Sequence, residues 1–325
     1  MLNLFYEEPD LDRWLPLDRY PRRLIRRAFR GRPRPGGPMR VFLNLCAGLD
    51  RVGIRYRVND YRHIRRSRSE LACVIGKPHV LDKIAWENPI LFGAAVFSHP
   101  LDDPRLLERR PVKKILVPGP WCKAMFETTW NNGRVQAWPV GIDTDLWRPA
   151  DPEQKSVDVL LYDKVLWNHD QHEVTLIEPI RAELRKRRLS FRQMRYGFYL
   201  EEDLRSALAQ CRTMIFLCEH ETQGIAYQQA LSCGVPIFAW DRGGYWQDPH
   251  YFPHRVKFGP VTSVPYWDGR CGRRFANGSE FAAGWQDFWE AANAQLFNPR
   301  AYVVENLTLE QSARRYVELA NSVTR

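Results

Sequence analysis

The chain carries the stretch "ETQGIAYQQALSCGVPIFAWDRGG" at residues 221–244, which places a carboxylate, Glu221, just ahead of a small polar residue and a glycine. An apolar run of strand length, "TMIFLCE" (213–219), precedes it, and a helix-like segment, "GIAYQQALSC" (224–233), follows. The free N–H groups of a first helical turn favour an anion. Thr222 is positioned to cap that helix. Gly224 lets a ligand approach the backbone closely, and Ile225 continues the same turn. Gln229 lies eight residues after Glu221, about a turn and a half inside the helix, so its amide can reach a polar group held over the helix start. The result is an anion cradle flanked by two hydrogen-bonding side chains, which suits a phosphorylated, hydroxyl-rich ligand such as a nucleotide-sugar. An ordinary strand–loop–helix unit with a surface Glu and Gln has the same composition.

Other chemistry-bearing residues are scattered. His99, in "FSHPLDD" (97–103), ends a strand and is either a cleft residue or a capped structural histidine. Gly36 and Gly37 could approach phosphates or form a turn after two prolines. His169 with His172, and His250 with His254, have ligand-like spacing but no third partner, so no metal is expected there. "DTD" (143–145) imitates a metal-binding Asp-x-Asp but sits in a linker and reads as structural. Tyr245, Trp246, Tyr266 and Trp267 are candidates for sugar platforms, although core packing is the commoner role of aromatics. Neither a P-loop nor a G-x-G-x-x-G is present. The seven cysteines include no C-x-x-C pair, so neither a zinc site nor a disulfide framework is indicated.

These residues must be positioned by regular elements, and the apolar pattern supplies them. Short runs at 2–6, 54–58, 71–76, 90–97, 113–120 and 135–140 read as strands, separated by helical segments including 39–53 and 121–131. After a polar, proline-containing linker (141–156) the alternation restarts: strands at 157–163, 190–197, 213–219 and 235–240, and helices at 175–187, 201–211 and 224–233. Buried strands alternating with helices predict an α/β chain of two doubly wound, Rossmann-like domains facing across a cleft, with ligands outside the carboxyl ends of the strands. The expected division is 1–148 and 149–325. An amphipathic last helix is expected at about 307–323, with Thr308 as N-cap and Gln311 three residues on. A chain of 325 residues fits two domains.

The net charge of +10 is concentrated in the first half. Residues 1–150 hold 27 Lys and Arg against 16 Asp and Glu, and the remainder holds 21 against 22. The peak is "RYPRRLIRRAFRGRPRPGGPMR" (19–40), with nine Arg and no acid, where 22–29 has amphipathic helical spacing; "RHIRRSR" (62–68) is a second cluster. Either this is a solvated basic surface or it meets an anionic partner such as phospholipid, nucleic acid or an acidic substrate. The first ten residues carry acids where a signal peptide needs basic residues and an apolar core, so a cytoplasmic protein is expected.

The combination of Glu221, Gly224, "ALSCGVP" (230–236) and "GG" (243–244) resembles the donor site of retaining GT-B glycosyltransferases of glycosyltransferase family 4, whose motif is Glu, seven residues, Glu. "WPVGIDTDLWRP" (138–149) is similar to the family's interdomain segment, and 36–58 to its N-terminal glycine loop and first helix. The resemblance implies that Glu221 meets hydroxyls of the transferred sugar and that Gln229, standing where the family has its second glutamate, meets the ribose. It implies that Lys164, in "YDKVLWNHD" (162–170), takes the place of the family's phosphate-binding Arg, with no match for its Lys. Gly36, Gly37, Gly224 and Ile225 would line the phosphates, and His99 would face sugar and acceptor. The activity so implied is metal-independent, retaining transfer from a nucleotide-sugar to a hydroxyl of a glycan or lipid-linked acceptor, with no cofactor. Residues 19–40 would dock peripherally on anionic membrane at its inner face, and nucleic acid is not an expected partner. The alternatives are a catalytically inactive module of the same fold, binding membrane or nucleic acid through its Arg-rich half, or another enzyme of that fold such as a sugar phosphorylase or nucleotide-sugar epimerase.

Overall fold

The computed structural model describes residues 1–8, 36–94, 96–130 and 133–324. The predicted helix over 22–29, and the Arg-rich stretch 19–40 up to residue 35, lie outside the described residues. The chain divides into two compact units. The first holds residues 1–118, 123–138 and 312–325; the second holds 119–122 and 139–311. Each is an α/β unit built on one parallel sheet.

In the first unit the elements are β1 (Leu2–Phe5), α1 (Gly37–Arg51), β2 (Tyr56–Val58), α2 (Tyr61–Arg66), β3 (Ala72–Val74), β4 (Ile90–Phe92), α3 (Leu106–Arg109), β5 (Val112–Val117), α4 (Pro120–Glu127, shared with the second unit) and β6 (Val135–Ala137). The sheet order is β2-β1-β3-β4-β5-β6. Leu4, Phe5, Cys73, Val74, Leu91, Phe92, Leu116 and Val117 are fully buried, as parallel strands covered on both faces require. The strand expected at 90–97 stops at Phe92. Gly93 adopts φ +136°, and a Cβ there would lie 2.1 Å from the Leu116 carbonyl oxygen, so the chain leaves the ladder where only glycine fits.

The second unit contains β7 (Val157–Asp163), α5 (His169–His172), a π-helical stretch (Glu173–Ile177), α6 (Glu178–Lys186), β8 (Phe191–Arg195), α7 (Glu201–Gln210), β9 (Cys211–Leu217), α8 (Ile225–Ser232), β10 (Ile237–Trp240), β11 (Gly272–Phe275), α9 (Gly278–Asn293), α10 (Pro299–Asn306) and the start of α11 (Leu309–Thr324). Its sheet order is β11-β10-β9-β7-β8. Side chains alternate between two cores, as the period-2 geometry of a strand dictates. Leu160, Tyr162, Met214, Phe216 and Ala239 join Tyr227, Ala230 and Leu231 of α8. Leu161, Ile215, Leu217, Phe238 and Trp240 pack with Phe281, Trp285 and Phe288 of α9. Both faces are therefore sealed, and the strand ends are left to carry polar groups.

Helix α11 begins as its sequence foretells. Thr308 Oγ1 accepts from the Gln311 N–H at 3.2 Å, and Gln311 Oε1 accepts from the Thr308 N–H at 3.3 Å, a reciprocal capping box. Among the described residues, no helix is long and apolar enough to cross a membrane.

Candidate functional site

Three neighbouring strands of the second unit, β10, β9 and β7, end side by side, and the segments after them assemble a polar cluster. Lys164 directly follows β7. Its Nζ forms an ion pair and hydrogen bond with the Glu221 carboxylate, four residues past the end of β9. The two side chains are only 14% and 12% exposed. Burial alone would lower the Lys164 pKa, but the Glu221 charge more than offsets it and holds the ammonium above the ordinary lysine range. Lys164 Nζ also lies 4.5 Å from the centroid of the Tyr196 ring, at the end of β8.

Both partners are held by their backbones. The Glu221 N–H donates to the Thr262 carbonyl at 2.9 Å, and its carbonyl accepts from Trp121 Nε1 at 2.7 Å. Thr262 is fixed in turn by Asp241, whose Oδ2 accepts the threonine hydroxyl at 2.9 Å while Oδ1 accepts the Ser263 N–H. On the lysine side, the Lys164 N–H donates to the Leu217 carbonyl at 2.8 Å. Glu219 accepts the N–H groups of Leu166 and Trp167 at 2.9 and 2.7 Å, and Asp163 Oδ2 lies 2.8 Å from His169 Nε2. The loops after β7 and β9 are thus laced together by carboxylate–backbone hydrogen bonds, which are stronger than neutral ones.

The start of α8 differs from the sequence expectation. Strand β9 ends at Leu217 rather than residue 219, and Gly224, not Thr222, is the N-cap, with φ +82° and ψ +41° and no side chain capping the helix. The first-turn N–H groups, Ile225 included, are left for a ligand or solvent. Buried Gln223 and Gln228 fix the approach: Gln223 Oε1 accepts the Val140 N–H at 3.0 Å, and Gln228 Nε2 donates to the Gln223 carbonyl at 2.7 Å. A Cβ on Gly224 would fall 1.9 Å from the Tyr227 ring, which is fully buried and tied through its hydroxyl to Tyr266. Gly224→Ala combines left-handed strain with overpacking and is expected to destabilise the protein by about 2–3 kcal/mol, read as a lowered midpoint in urea unfolding.

The sequence-predicted residues fall into two sets. Lys164, Glu221, Gly224, Ile225 and Gln229 share the second unit, with Gln229 buried on α8. His99, Gly36 and Gly37 belong to the first. Buried His99 caps a short 3₁₀ turn, its Nδ1 accepting the Leu101 N–H at 3.1 Å. Gly36 is the N-cap of α1, and a Cβ on Gly36 or Gly37 would meet nothing within 4 Å. In "DTD", Asp143 Oδ1 accepts the N–H groups of Asp145 and Leu146, both at 3.1 Å, a local turn. A cavity of about 390 Å³ is lined by Thr262, Asp268, Arg273 and Arg274 among others, and by Trp267, one of the candidate sugar platforms, but not by Lys164, Glu221, Gly224, Ile225 or Gln229.

No protein-family model and no curated protein matches the sequence. Solved structures do. A mutant of S. aureus TarM in complex with fondaparinux, alpha-GlcNAc-glycerol and UDP gives a TM-score of 0.56 at 11% identity, over 80% of this chain and 58% of that one. Sucrose-phosphate synthase from Thermosynechococcus elongatus gives 0.52 at 13% identity, over 81% and 75%. AviGT4, a glycosyltransferase involved in avilamycin A biosynthesis, gives 0.50 at 13% identity, over 100% and 98%. This is the GT-B fold.

Within this GT-B chain, sequence reasoning missed His220, Glu219 and Arg242. His220 lies between the two carboxylates, its ring 4.8 Å from Trp167, 5.5 Å from Trp121 and 6.5 Å from Trp246. Among the described residues, neither ring nitrogen has a hydrogen-bond partner. Burial, then the nearby charges of Arg242 and Lys164, push the imidazole pKa down to about 3. A histidine whose folded pKa lies below its unfolded value keeps its full stabilising effect above about pH 6.5 and loses it as pH falls toward the folded pKa. The loss runs at about 1.4 kcal/mol per pH unit. Between pH 6.5 and 5 the wild type is therefore expected to lose about 2 kcal/mol from this residue. His220→Asn should flatten that part of the chemical-denaturation profile. An unchanged slope would place the histidine in a solvated setting.

Proposed function

We propose that the protein is a glycosyltransferase of family 4 type that moves a sugar from a nucleotide-sugar to a hydroxyl of a glycan or lipid-linked acceptor, with retention and without a metal. The observation that supports it is the Lys164–Glu221 ion pair, set between the ends of β7 and β9 at the uncapped start of α8. A diphosphate entering there takes Lys164 from Glu221 and meets the first-turn N–H groups. The released carboxylate becomes an acceptor for hydroxyls of the transferred sugar. Gln229 supplies an amide for the ribose, where a glutamate would offer acceptors only. Charge builds on the leaving diphosphate in the transition state, and a fixed ammonium and aligned N–H groups stabilise it there. In this reading side chain and backbone supply that stabilisation without a metal. His99, Gly36 and Gly37 of the first unit are assigned to the acceptor and phosphate side by resemblance. The TarM complex with UDP and alpha-GlcNAc-glycerol is a GT-B case with a nucleotide and a glycosylated alcohol bound together.

The test is nucleoside-diphosphate release from a panel of nucleotide-sugars, with and without chelator, and the anomeric configuration of the product by proton NMR. Release that is insensitive to chelator and a retained configuration are the expected results. Gln229, lacking the second carboxylate, is the feature that favours an inactive module instead. Such a module, binding membrane or nucleic acid through its Arg-rich half, would turn over no donor and need show no affinity for a nucleoside diphosphate.

We further place the protein in the cytoplasm, docking on anionic membrane through residues 19–40. Each basic residue near such a surface contributes about 1 kcal/mol. The protein should sediment with anionic liposomes at low salt and be released at high salt. Replacement of Arg22, Arg23, Arg26 and Arg27 by Ser should abolish sedimentation.

A further inference from the structure

Arg242 directly follows Asp241 at the end of β10, on the far side of His220 from Lys164 in the strand order β10-β9-β7. It is half-buried. Its guanidinium lies 5.5 Å from the Trp240 ring centroid and donates to Gln247 Oε1. Among the described residues it forms no ion pair. The carboxylate that acts on it, Glu219, is already occupied by the Leu166 and Trp167 N–H groups. Glu219 acts on Arg242 only through space, so no carboxylate fills the hydrogen-bonding fork of this partly desolvated guanidinium, and an anion can still complete it. The residues after it, Gly243 and Gly244, adopt φ +63° and +78°, and a Cβ on either would meet nothing within 4 Å, so the approach from that side is open. His220, between the two cations, has two ring nitrogens with no hydrogen-bond partner among the described residues.

We propose that Arg242 is the second cation of the phosphate site, binding the donor's diphosphate together with Lys164 from the opposite side of His220. This rests on the nucleotide-sugar reading above and adds to it the residue that the segment 162–170 does not provide. Adjacent strands run about 4.8 Å apart, so the ends of β10 and β7 are separated by roughly 10 Å, which two long cationic side chains close onto one diphosphate. The planar guanidinium takes two phosphate oxygens in parallel, and the ammonium acts as a point charge on the other side.

Isothermal titration with UDP, GDP and ADP, their nucleosides and inorganic pyrophosphate tests this on the wild type, Arg242→Gln and Arg242→Lys. The wild type should bind at least one nucleoside diphosphate. Arg242→Gln should weaken that binding about 10- to 100-fold, the effect of losing charge-assisted hydrogen bonds, and leave the matching nucleoside unaffected. Arg242→Lys, which keeps the charge and loses the fork, should fall between the two. If the glutamine variant does not fold, the lysine variant carries the test by the same loss of diphosphate over nucleoside affinity. A wild type that binds diphosphate, with Arg242→Gln binding it equally well, overturns the role of Arg242 and leaves the nucleotide-sugar reading standing. Equal loss of nucleoside and diphosphate affinity also overturns it, since that is damage to the fold. A wild type that binds no diphosphate at all overturns both.

Discussion

Glu221→Gln is expected to lower kcat by about 100-fold or more while the affinity for nucleoside diphosphate holds or tightens. The two effects separate because the carboxylate has two roles. In the proposed reaction it accepts hydrogen bonds from the sugar that tighten as charge develops at the anomeric carbon, so its loss is felt in turnover rather than in binding. Charged hydrogen bonds of this kind contribute about 1.5–3 kcal/mol each, and two of them account for the loss. Toward Lys164 it is the resident counter-ion, and a diphosphate bound as proposed would displace it. Neutralising Glu221 removes that competition, so the anion binds at least as well as before. Steady-state kinetics paired with calorimetry would show both halves. A variant with near-normal kcat removes Glu221 from the chemistry, and a variant with weakened diphosphate binding places it on the phosphates.

Lys164→Met should weaken diphosphate binding as well as lower turnover, and have a larger effect on folding. Taking one partner from a nearly buried ion pair leaves the other charge without compensation, at about 3–5 kcal/mol. That corresponds to a fall in Tm of roughly 6–20 °C for a unit of this size. Diphosphate affinity should fall about 10- to 100-fold, since the ammonium's charge-assisted bonds are lost. The double variant Lys164→Met with Glu221→Gln removes both charges at once. It should recover most of the lost stability and none of the activity, which differential scanning calorimetry and turnover would register together. If the single lysine variant is as stable as wild type, the pair is solvated and the site is more open than its 14% and 12% exposures imply.

How much of this is legible in the sequence depends on what each segment has to bury. Strands β7 and β9 are apolar on both faces, and "VDVLLYD" and "TMIFLC" announce them without reference to anything distant. Strand β11 escapes such a reading because its four residues include Arg273 and Arg274, both exposed at the sheet edge, and only Gly272 and Phe275 are buried. Helix α9, absent from the sequence expectation, does carry a signal. Phe281, Trp285 and Phe288 repeat at helical spacing behind Asn277, whose side chain accepts the Glu280 N–H.

Within the site, Glu221, Gly224 and Gln229 can be found because they sit in one continuous stretch whose glycine and carboxylate have a local meaning. Arg242 cannot. It lies 21 residues after Glu221, and nothing in "WDRGG" marks that arginine as sharing a sheet end with a lysine 78 residues earlier. The parallel order of β10, β9 and β7 brings these positions to the same sheet end, and that order is a property of pairing rather than of any local pattern. His220 shows the same limit. Its neighbours Trp121, Trp167 and Trp246 come from three separate segments, so its burial and lowered pKa follow only from the assembled fold.

The proposed activity requires that the end of this sheet take a nucleoside diphosphate. Equilibrium titration of the wild-type protein with each common nucleoside diphosphate, set beside its nucleoside, measures that directly. The expected result is one diphosphate bound at least about 100-fold more tightly than its nucleoside, as two charge-assisted contacts would give, with an affinity that falls as salt rises. No binding by any of them, or equal binding of diphosphate and nucleoside, would contradict it.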